Sequence, residues 1–335
     1  MTISYIIPAC NAEVTLQRAI KSICDQTIET NDKIEVIVVE NGSTDKTLEV
    51  CQKAVSLYSC VITVSINKTG ASAARNQGLQ MSHGDIIAFC DADDYVEPGS
   101  IKRILRIFHE NPETEVIVCG KYNVKPTGEK TLTLPVHKTE QWEAKKLVYK
   151  MLYDPSIMGS VWNKFFRRRL LENIYFDESL THCEDLDFVF SALYGYYGTV
   201  RMETFPCYNY VYNPGSIVHC AEKLFDAESQ LLYSKTYKKL LGKTKIDRKL
   251  TGLIKYTLVS NSIQNYFAAW NHKQRQLIIS DIKQNLFSWF SRIYIRPKEE
   301  IFHLAALVVI GMCEVGVLNV RVVRSWLYKR KKKYE

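Results

Sequence analysis

Three carboxylates stand together at the end of a short apolar run. In Asp85-Ile86-Ile87-Ala88-Phe89-Cys90-Asp91-Ala92-Asp93-Asp94 the run Ile86–Cys90 reads as a buried strand, and Asp91, Asp93 and Asp94 follow at its carboxyl end. Acids this close repel one another, and burial raises the cost of keeping them charged. A hard divalent cation offsets that cost, and few protein carboxylates completed by phosphate oxygens describe a magnesium-type site. Ligands of open α/β sheets bind beyond the carboxyl ends of the strands, where these acids lie. Taken alone, D-x-D-D reads better as a solvated turn with Asp94 capping a helix. The ends of the other apolar runs reverse that preference.

The first run ends in Pro8-Ala9-Cys10-Asn11-Ala12-Glu13, a turn and a helix start. The second ends in Glu40-Asn41-Gly42-Ser43-Thr44-Asp45, hydrogen-bonding side chains followed by a Gly-Ser turn. The third is followed by Asn67-Lys68-Thr69-Gly70-Ala71-Ser72-Ala73-Ala74-Arg75-Asn76-Gln77-Gly78. Its small residues admit a close backbone approach, and Arg75 can reach a nucleotide or its phosphates. Each piece alone is a solvated loop. In this order, after successive strands, the pieces compose a site for a nucleotide-sugar.

The elements that must position these residues are legible as alternation. Ile3–Ile7, Ile34–Val39, Val61–Ile66, Ile86–Cys90 and Val116–Cys119 are short runs rich in β-branched residues. Between them lie helical periods, Leu16/Ala19/Ile20/Ile23 and Leu48/Cys51/Val55/Tyr58. Such alternation predicts a mostly parallel sheet in a three-layer α/β/α arrangement. Ser43-Thr44-Asp45 marks the entry of the second helix and Pro98 the start of the one after the acids. Residues 121–160, with Pro126, Gly128, Pro135 and Pro155, read as a hairpin or loop and then a helix around Gln141–Leu152. Val161 to about Ile217 is rich in aromatic and turn residues, and 222–290 is helical in period.

Composition is that of a globular protein, with 46% apolar and 24% charged residues. The net charge is +8, but residues 321–335 hold seven Lys or Arg against Glu335, so the excess is a basic tail. The rest of the chain is near neutral, which gives no footprint for nucleic acid. Ten scattered cysteines form no C-x-x-C pair, a usage that suits reduced thiols. No secretory signal is visible at the N-terminus, so a cytoplasmic protein is expected. Ile301–Cys313 is apolar apart from His303, yet shorter than the roughly 20 residues of a spanning helix. A packed core helix accounts for it. Beside Lys329–Lys333, a peripheral segment on the inner face of the membrane is the alternative.

The order of motifs resembles the inverting family 2 glycosyltransferases of the GT-A fold, of the bacterial surface-polysaccharide type. The resemblance rests on Ile7-Pro8…Asn11, Gln26-Thr27, Gly42-Ser43-Thr44-Asp45, Gly70…Ala74-Arg75-Asn76-x-Gly78-Leu79 and Asp91-Ala92-Asp93-Asp94. It is dense over residues 1–110 and continues in patches, at Trp162-Asn163-Lys164-Phe165-Phe166-Arg167, at Phe176-Asp177-Glu178, and at Glu184-Asp185-Leu186-Asp187-Phe188. It implies a GT-A domain over 1–220, with a nucleotide-sugar half (1–120) and an acceptor half (121–220), and a helical region with a basic tail over 221–335. It further implies a UDP-sugar or similar donor and a divalent metal, magnesium or manganese. By position Pro8, Ala9, Asn11, Glu13, Glu40, Asn41, Asn67, Gly70, Arg75, Asp91 and Ala92 would surround the donor, with Asp91 on the ribose. Asp93 would bind the metal that bridges the phosphates, and Asp185 would be the general base, with Glu184 the runner-up. Inversion needs one carboxylate to take the acceptor proton and a cation to stabilise the departing diphosphate.

Other readings stand beside these. Glu184-Asp185 also suits a helix N-terminus, where acids are favoured. Trp162 is either a core anchor or a sugar platform. Lys164 could meet phosphate or acceptor, whereas Arg168 and Arg169 read as a solvated face. Glu40-Asn41 departs from the acidic pair usual before Gly-Ser, and Cys183 stands where Gly is usual. Without Q-x-x-R-W or an array of spans, a processive synthase is not expected; single-sugar transfer to a saccharide or lipid-linked saccharide is. The competing classes are a non-catalytic nucleotide-sugar-binding subunit and a haloacid-type D-x-D phosphohydrolase, the latter disfavoured by Asp94 after the second acid. No G-x-G-x-x-G follows the first strand, which argues against a dinucleotide oxidoreductase.

Overall fold

Runs of Ile and Val form strands because branched side chains pack well on a pleated surface, and here they alternate with helices that bury one stripe. The computed structural model describes residues 1–213 apart from 153, 155 and 158, then residues 227–244 and scattered positions from 247 to 280. In chain order the elements are β1 (Thr2–Ala9), α1 (Leu16–Cys24), β2 (Lys33–Asn41), α2 (Thr47–Leu57), β3 (Val61–Ile66), α3 (Ala71–Met81) and β4 (Ile86–Phe89). There follow β5 (Tyr95–Val96), α4 (Ser100–Glu110), β6 (Val116–Val124), β7 (Lys130–Thr133), β8 (Glu140–Glu143), α5 (Ala144–Met151), β9 (Lys164–Arg167), α6 (Glu184–Leu193), β10 (Thr199–Val211) and α7 (Ala227–Lys243).

The strands form one sheet in the order β3-β2-β1-β4-β9-β6-β10-β5, with β7 on β6 and β8 on β10. Strands β3, β2, β1 and β4 run parallel, with Ala9 opposite Glu40 and Asn41 opposite Ile66. That register brings the ends of β1, β2 and β3 to one edge, and Cys90 after β4 donates its N–H to the Ile6 carbonyl beside them. Strand β9 lies antiparallel between β4 and β6, although it comes much later in the chain. Strands β6 and β10 are parallel to each other.

Each face of the sheet carries a core. Ile3, Tyr5 and Ile7 of β1, Val36 and Val38 of β2 and Ile86 and Ala88 of β4 pack with Leu16, Ala19, Ile20 and Ile23 of α1 and Ile101, Ile104 and Phe108 of α4. On the other face Phe89 of β4 meets Phe176 and Phe188 edge-on at 5.5 and 5.8 Å, and those two rings stack at 4.0 Å. Helix α3 closes on β1 at Gly78, where an added Cβ would lie 2.3 Å from Cγ2 of Ile6. The three layers expected from the alternation are present.

Several details differ from the sequence reading. Residues 140–143 are strand β8, paired with β10 and burying Trp142, so the helix expected from Gln141 begins at Ala144. Exposed Gln141 and Glu143 on either side of the buried Trp142 ring favour the extended form there. Helix α2 buries Thr47, Cys51 and Ala54, leaving Leu48 and Val55 exposed. Its orientation follows from the Thr47 hydroxyl, which accepts the Ala12 N–H at 2.7 Å and donates to Asp45. Helix α4 starts at Ser100, after Gly99 at φ 75, two residues beyond Pro98.

The chain divides into two compact units, Met1–Asn213 and Pro214–Glu335. Helix α7 belongs to the second, while Ile301–Cys313 and the basic tail lie outside the described residues. Among the described residues no helix is long and apolar enough to cross a membrane.

The α3–β1 contact can be tested directly. Gly78→Ala should destabilise the protein by about 1–3 kcal/mol, the usual cost of forcing extra atoms into a packed interface. A urea unfolding series against the native chain measures it; an unchanged midpoint would show that the interface yields.

Candidate active site

The first two loops at the carboxyl edge grip each other. Asn11, held at φ 50, donates its backbone N–H to Oγ of Ser43 at 3.0 Å and accepts the Thr44 N–H on Oδ1 at 2.8 Å. Glu13 accepts the Lys46 N–H, and its own N–H is donated to Asp45. Glu40, buried, accepts the Ser43 N–H at 2.6 Å, and Asn41, also buried, accepts the Thr69 N–H at 2.9 Å. At Gly42, at φ 64, a Cβ would lie 2.7 Å from the Lys68 amide, so the second loop also presses on the third. The oxygens of Asn11, Glu13 and Asn41 thus serve to clasp loop to loop, while Glu40 closes the turn of its own loop. Pro8 and Ala9 end β1 beside them, while Asn67 and Gly70 are exposed, Gly70 at φ 101 just before α3.

The three aspartates do not act as one cluster. Asp94 is buried, and Oδ1 accepts the Val211 N–H at 2.7 Å. Burial, then the neighbouring Asp91 and Asp93, hold its carboxyl well above the usual carboxylate range. Asp91 gives its N–H to the Tyr208 hydroxyl at 3.0 Å and its carboxylate to Arg75. Asp93 remains partly exposed; its Oδ2 accepts an N–H from Asn213 at 3.1 Å, and its carbonyl accepts from Arg18 at 2.6 Å. Ala92 is buried between them.

Arg75 is not turned toward solvent. Nη2 lies 2.9 Å from Asp91, and Nη1 lies 3.1 Å from Glu184 and 3.2 Å from Asp185. These pairs make an ion cluster that joins the end of β4 to the start of α6. Burial opposes the guanidinium's charge, but Asp185, Asp91 and Glu184 outweigh it and raise its pKa. Asp185 also accepts the Val161 N–H at 3.3 Å. Burial pushes its carboxyl up to about 7, with Arg75 pulling down and Glu184 and Asp91 pushing further up. That is the range in which a carboxylate works as a base near neutral pH.

The W-N-K segment supports this cluster from behind. Lys164 is fully buried, and Nζ donates to the Ser160 carbonyl at 2.7 Å, to Oδ1 of Asn163 at 3.0 Å and to the Ile157 carbonyl at 3.4 Å. It braces the loop that carries Val161. Burial lowers its pKa to about 7. Trp162, only 6% exposed, stacks on Tyr208 at 4.7 Å and Tyr210 at 5.6 Å, so most of it is packed inside the protein. Arg169 pairs with Glu115 but stays exposed, as a solvated face expects, whereas Arg168 is half-buried and donates to the Gly84 carbonyl.

The model of Glycosyl transferase family 2 matches residues 4–175, just over half the chain. The chain belongs to glycosyl transferase family 2. EpsH of Bacillus subtilis is 27% identical over 266 residues, covering 78% of this chain and 75% of EpsH. The minor teichoic acid biosynthesis protein GgaA of the same organism is 31% identical over 191 residues, 55% of this chain but only 42% of GgaA. Among solved structures, residues 1–349 of Staphylococcus aureus TarS in complex with UDP-GlcNAc superpose with a TM-score of 0.58 at 19% identity, covering 88% of this chain and 93% of that one. The fold is therefore GT-A, and the protein is a glycosyltransferase.

Some residues of this glycosyltransferase's site carried no signal in the sequence. Arg18, Tyr208, Asn213 and Val161 contact Asp93, Asp91 or Asp185 only through the tertiary fold. Tyr208 and Asn213 lie more than a hundred positions from the acids they touch. A divalent metal fits here in a limited form. Among the described residues no three His, Cys, Asp or Glu converge on one point, Asp94 is committed to Val211 and Asp91 to Arg75. Asp93 is left as a partly exposed carboxylate, enough for a magnesium-type ion that takes its other ligands from diphosphate and water.

Asp94 can be separated from its neighbours by substitution. Asp94→Ala leaves the Val211 N–H without its acceptor and should cost about 1–3 kcal/mol of stability. Asp94→Asn keeps an oxygen at that place and should cost less. Chemical unfolding of both variants decides; equal losses would mean that the carboxylate charge, not the hydrogen bond, is what the fold needs.

Proposed function

We propose that this glycosyltransferase moves a single sugar from a UDP-sugar to a hydroxyl of a saccharide or lipid-linked saccharide, with inversion, and that Asp185 is the general base. The observation that carries this reading is the placement of a half-buried Asp185, its carboxyl raised to about 7, one guanidinium away from Asp91 at the carboxyl edge of the sheet. Asp185 takes the proton of the acceptor hydroxyl as that oxygen attacks the sugar's anomeric carbon and the bond to the diphosphate breaks. Asp91 meets the ribose. Asp93 would hold the divalent ion, which when bound stabilises charge on the departing diphosphate. The clasped loops after β1, β2 and β3 present Pro8, Ala9 and Asn67 to the nucleoside. TarS has been solved with UDP and with UDP-GlcNAc, which supports a UDP-sugar donor. Relatives such as GgaA support a place in surface-polysaccharide assembly.

Turnover should require ionised Asp185, so kcat should fall as pH drops through about 7. Asp185→Asn should keep UDP binding and lower turnover by about 10²–10⁴, the usual range for a lost base. Asp93→Ala should lose manganese-dependent UDP binding in calorimetry while remaining folded. Release of UDP from a panel of UDP-sugars with candidate acceptors reads out the first. Near-normal turnover in Asp185→Asn would move the role to Glu184, and unchanged UDP affinity in Asp93→Ala would reject the metal site.

The basic tail supports a cytoplasmic protein held at the inner membrane face. Each Lys or Arg near an anionic surface contributes about 1 kcal/mol, screened over about 8 Å at physiological salt. Binding to vesicles containing anionic lipid should therefore weaken with salt, and removal of residues 321–335 should abolish the salt-sensitive part. Failure of the full chain to sediment with such vesicles at low salt would end the membrane reading.

A further inference from the structure

Arg75 is surrounded by more than donor binding asks for. Its side chain is 6% exposed and meets three carboxylates from two separate stretches, Asp91 after β4 and Glu184 with Asp185 at the start of α6. The Phe176 ring lies 5.4 Å from its Cζ on one side. A guanidinium is a planar, rigid fork. Fixing Nη2 on Asp91 therefore fixes the direction in which Nη1 faces Asp185. The next residue, Asn76, locks the same stretch of α3 to the α6 approach: its amide donates to the Phe176 carbonyl and to Glu178, and its Oδ1 accepts the Phe176 N–H.

We propose that Arg75 is a positioning residue for sugar transfer rather than a ligand of the donor phosphates: it holds the Asp185 carboxylate in place as the base and ties that carboxylate to Asp91. This rests on Asp185 being the base. The charged groups around Asp185 make the consequence specific. Arg75 is the positive group in contact with it; Glu184 and Asp91 oppose ionisation. Lys164, behind the Val161 loop, and Cys183, two residues before it in the chain, also interact with it. Without the guanidinium, Asp185 would remain half-buried beside two like charges and would give up its proton only at higher pH. An opposite charge in contact commonly moves a carboxyl by about one to three pH units.

The test compares Arg75→Gln and Arg75→Lys with the native protein and Asp185→Asn, using UDP-sugar turnover across pH and calorimetry with UDP and manganese. In Arg75→Gln the acid limb of kcat should move up by about one to three pH units, so that activity at pH 7 drops about fivefold to five-hundredfold and partly returns near pH 9. UDP affinity should stay within about threefold, because the guanidinium does not serve the phosphates. Arg75→Lys, which keeps the charge but not the fork, should lose kcat with a smaller movement of the limb and an unchanged donor KM. An unmoved acid limb in a folded Arg75→Gln overturns the proposal, as does a fall of tenfold or more in UDP affinity with kcat preserved at saturating donor. Circular dichroism and a thermal melt report folding. If the Gln variant does not fold, undiminished kcat in Arg75→Lys overturns it instead. Turnover retained in Asp185→Asn would remove the base assignment itself; turnover lost there while both Arg75 variants behave as native would remove this inference alone.

Discussion

A buried guanidinium has to be neutralised where it sits, and much of this site follows from that requirement. Leaving one charge of such a group unpaired costs several kcal/mol. Arg75 meets the requirement with acids that the chain supplies far apart, one at the end of β4 and two at the start of α6. The start of α6 is therefore drawn to the edge where the loops after β1, β2 and β3 already lie. Gly78, one helical turn further along α3, allows that helix to approach β1 closely enough to set the guanidinium at this depth. The stacked Phe176 and Phe188 rings fill the space between the sheet and α6, and the Phe176 ring covers one side of the guanidinium.

The loops follow a related logic. Several polar side chains at the carboxyl edge look from their chemistry as though they await a ligand, yet in the structure they hydrogen-bond to neighbouring loops. Asn11 with Ser43 and Thr44, Glu13 with Lys46, and Asn41 with Thr69 make a continuous belt across three strand ends. A belt of this kind fixes backbone groups before any substrate arrives, and a site that is already in place loses less freedom on binding. The W-N-K segment does the same for the acceptor side. There a lysine that reads as a phosphate contact is a buried brace beneath the loop of Val161.

How much of this could be read in the amino-acid sequence depended on distance along the chain. The first four strands, the helices between them and the order of the strand-end loops were legible, because periodicity and turn residues are local signals. Glu184-Asp185 reads from sequence as a base candidate or as a helix N-terminus; the structure puts the pair at the start of α6 and pairs both acids with Arg75. The swap of Gln141-Trp142 from helix to strand was not legible. Four residues give no decisive period, and the choice was made by pairing with β10. The partners of the aspartates were hidden for the same reason. Nothing near Asp94 in sequence announces Val211, and nothing near Asp91 announces Tyr208.

The insertion of β9 has a consequence for the order in which the chain can be assembled. Strands β1 to β4 are made first, but the free flank of β4 faces a gap that only residues 164–167 fill, and β6 pairs on the far side of the same strand. Until those residues leave the ribosome, the apolar stretch Ile86–Phe89 has an open backbone edge, the kind of surface on which chains stick to one another. A nascent chain grows at about 5–20 residues per second, so this edge stays open for several seconds during synthesis. The nucleotide half of the molecule therefore cannot be finished by the first 120 residues alone. A gene fragment cut between the two halves would yield a sheet with its seam exposed, whereas one that runs through Arg167 would carry its own closing strand.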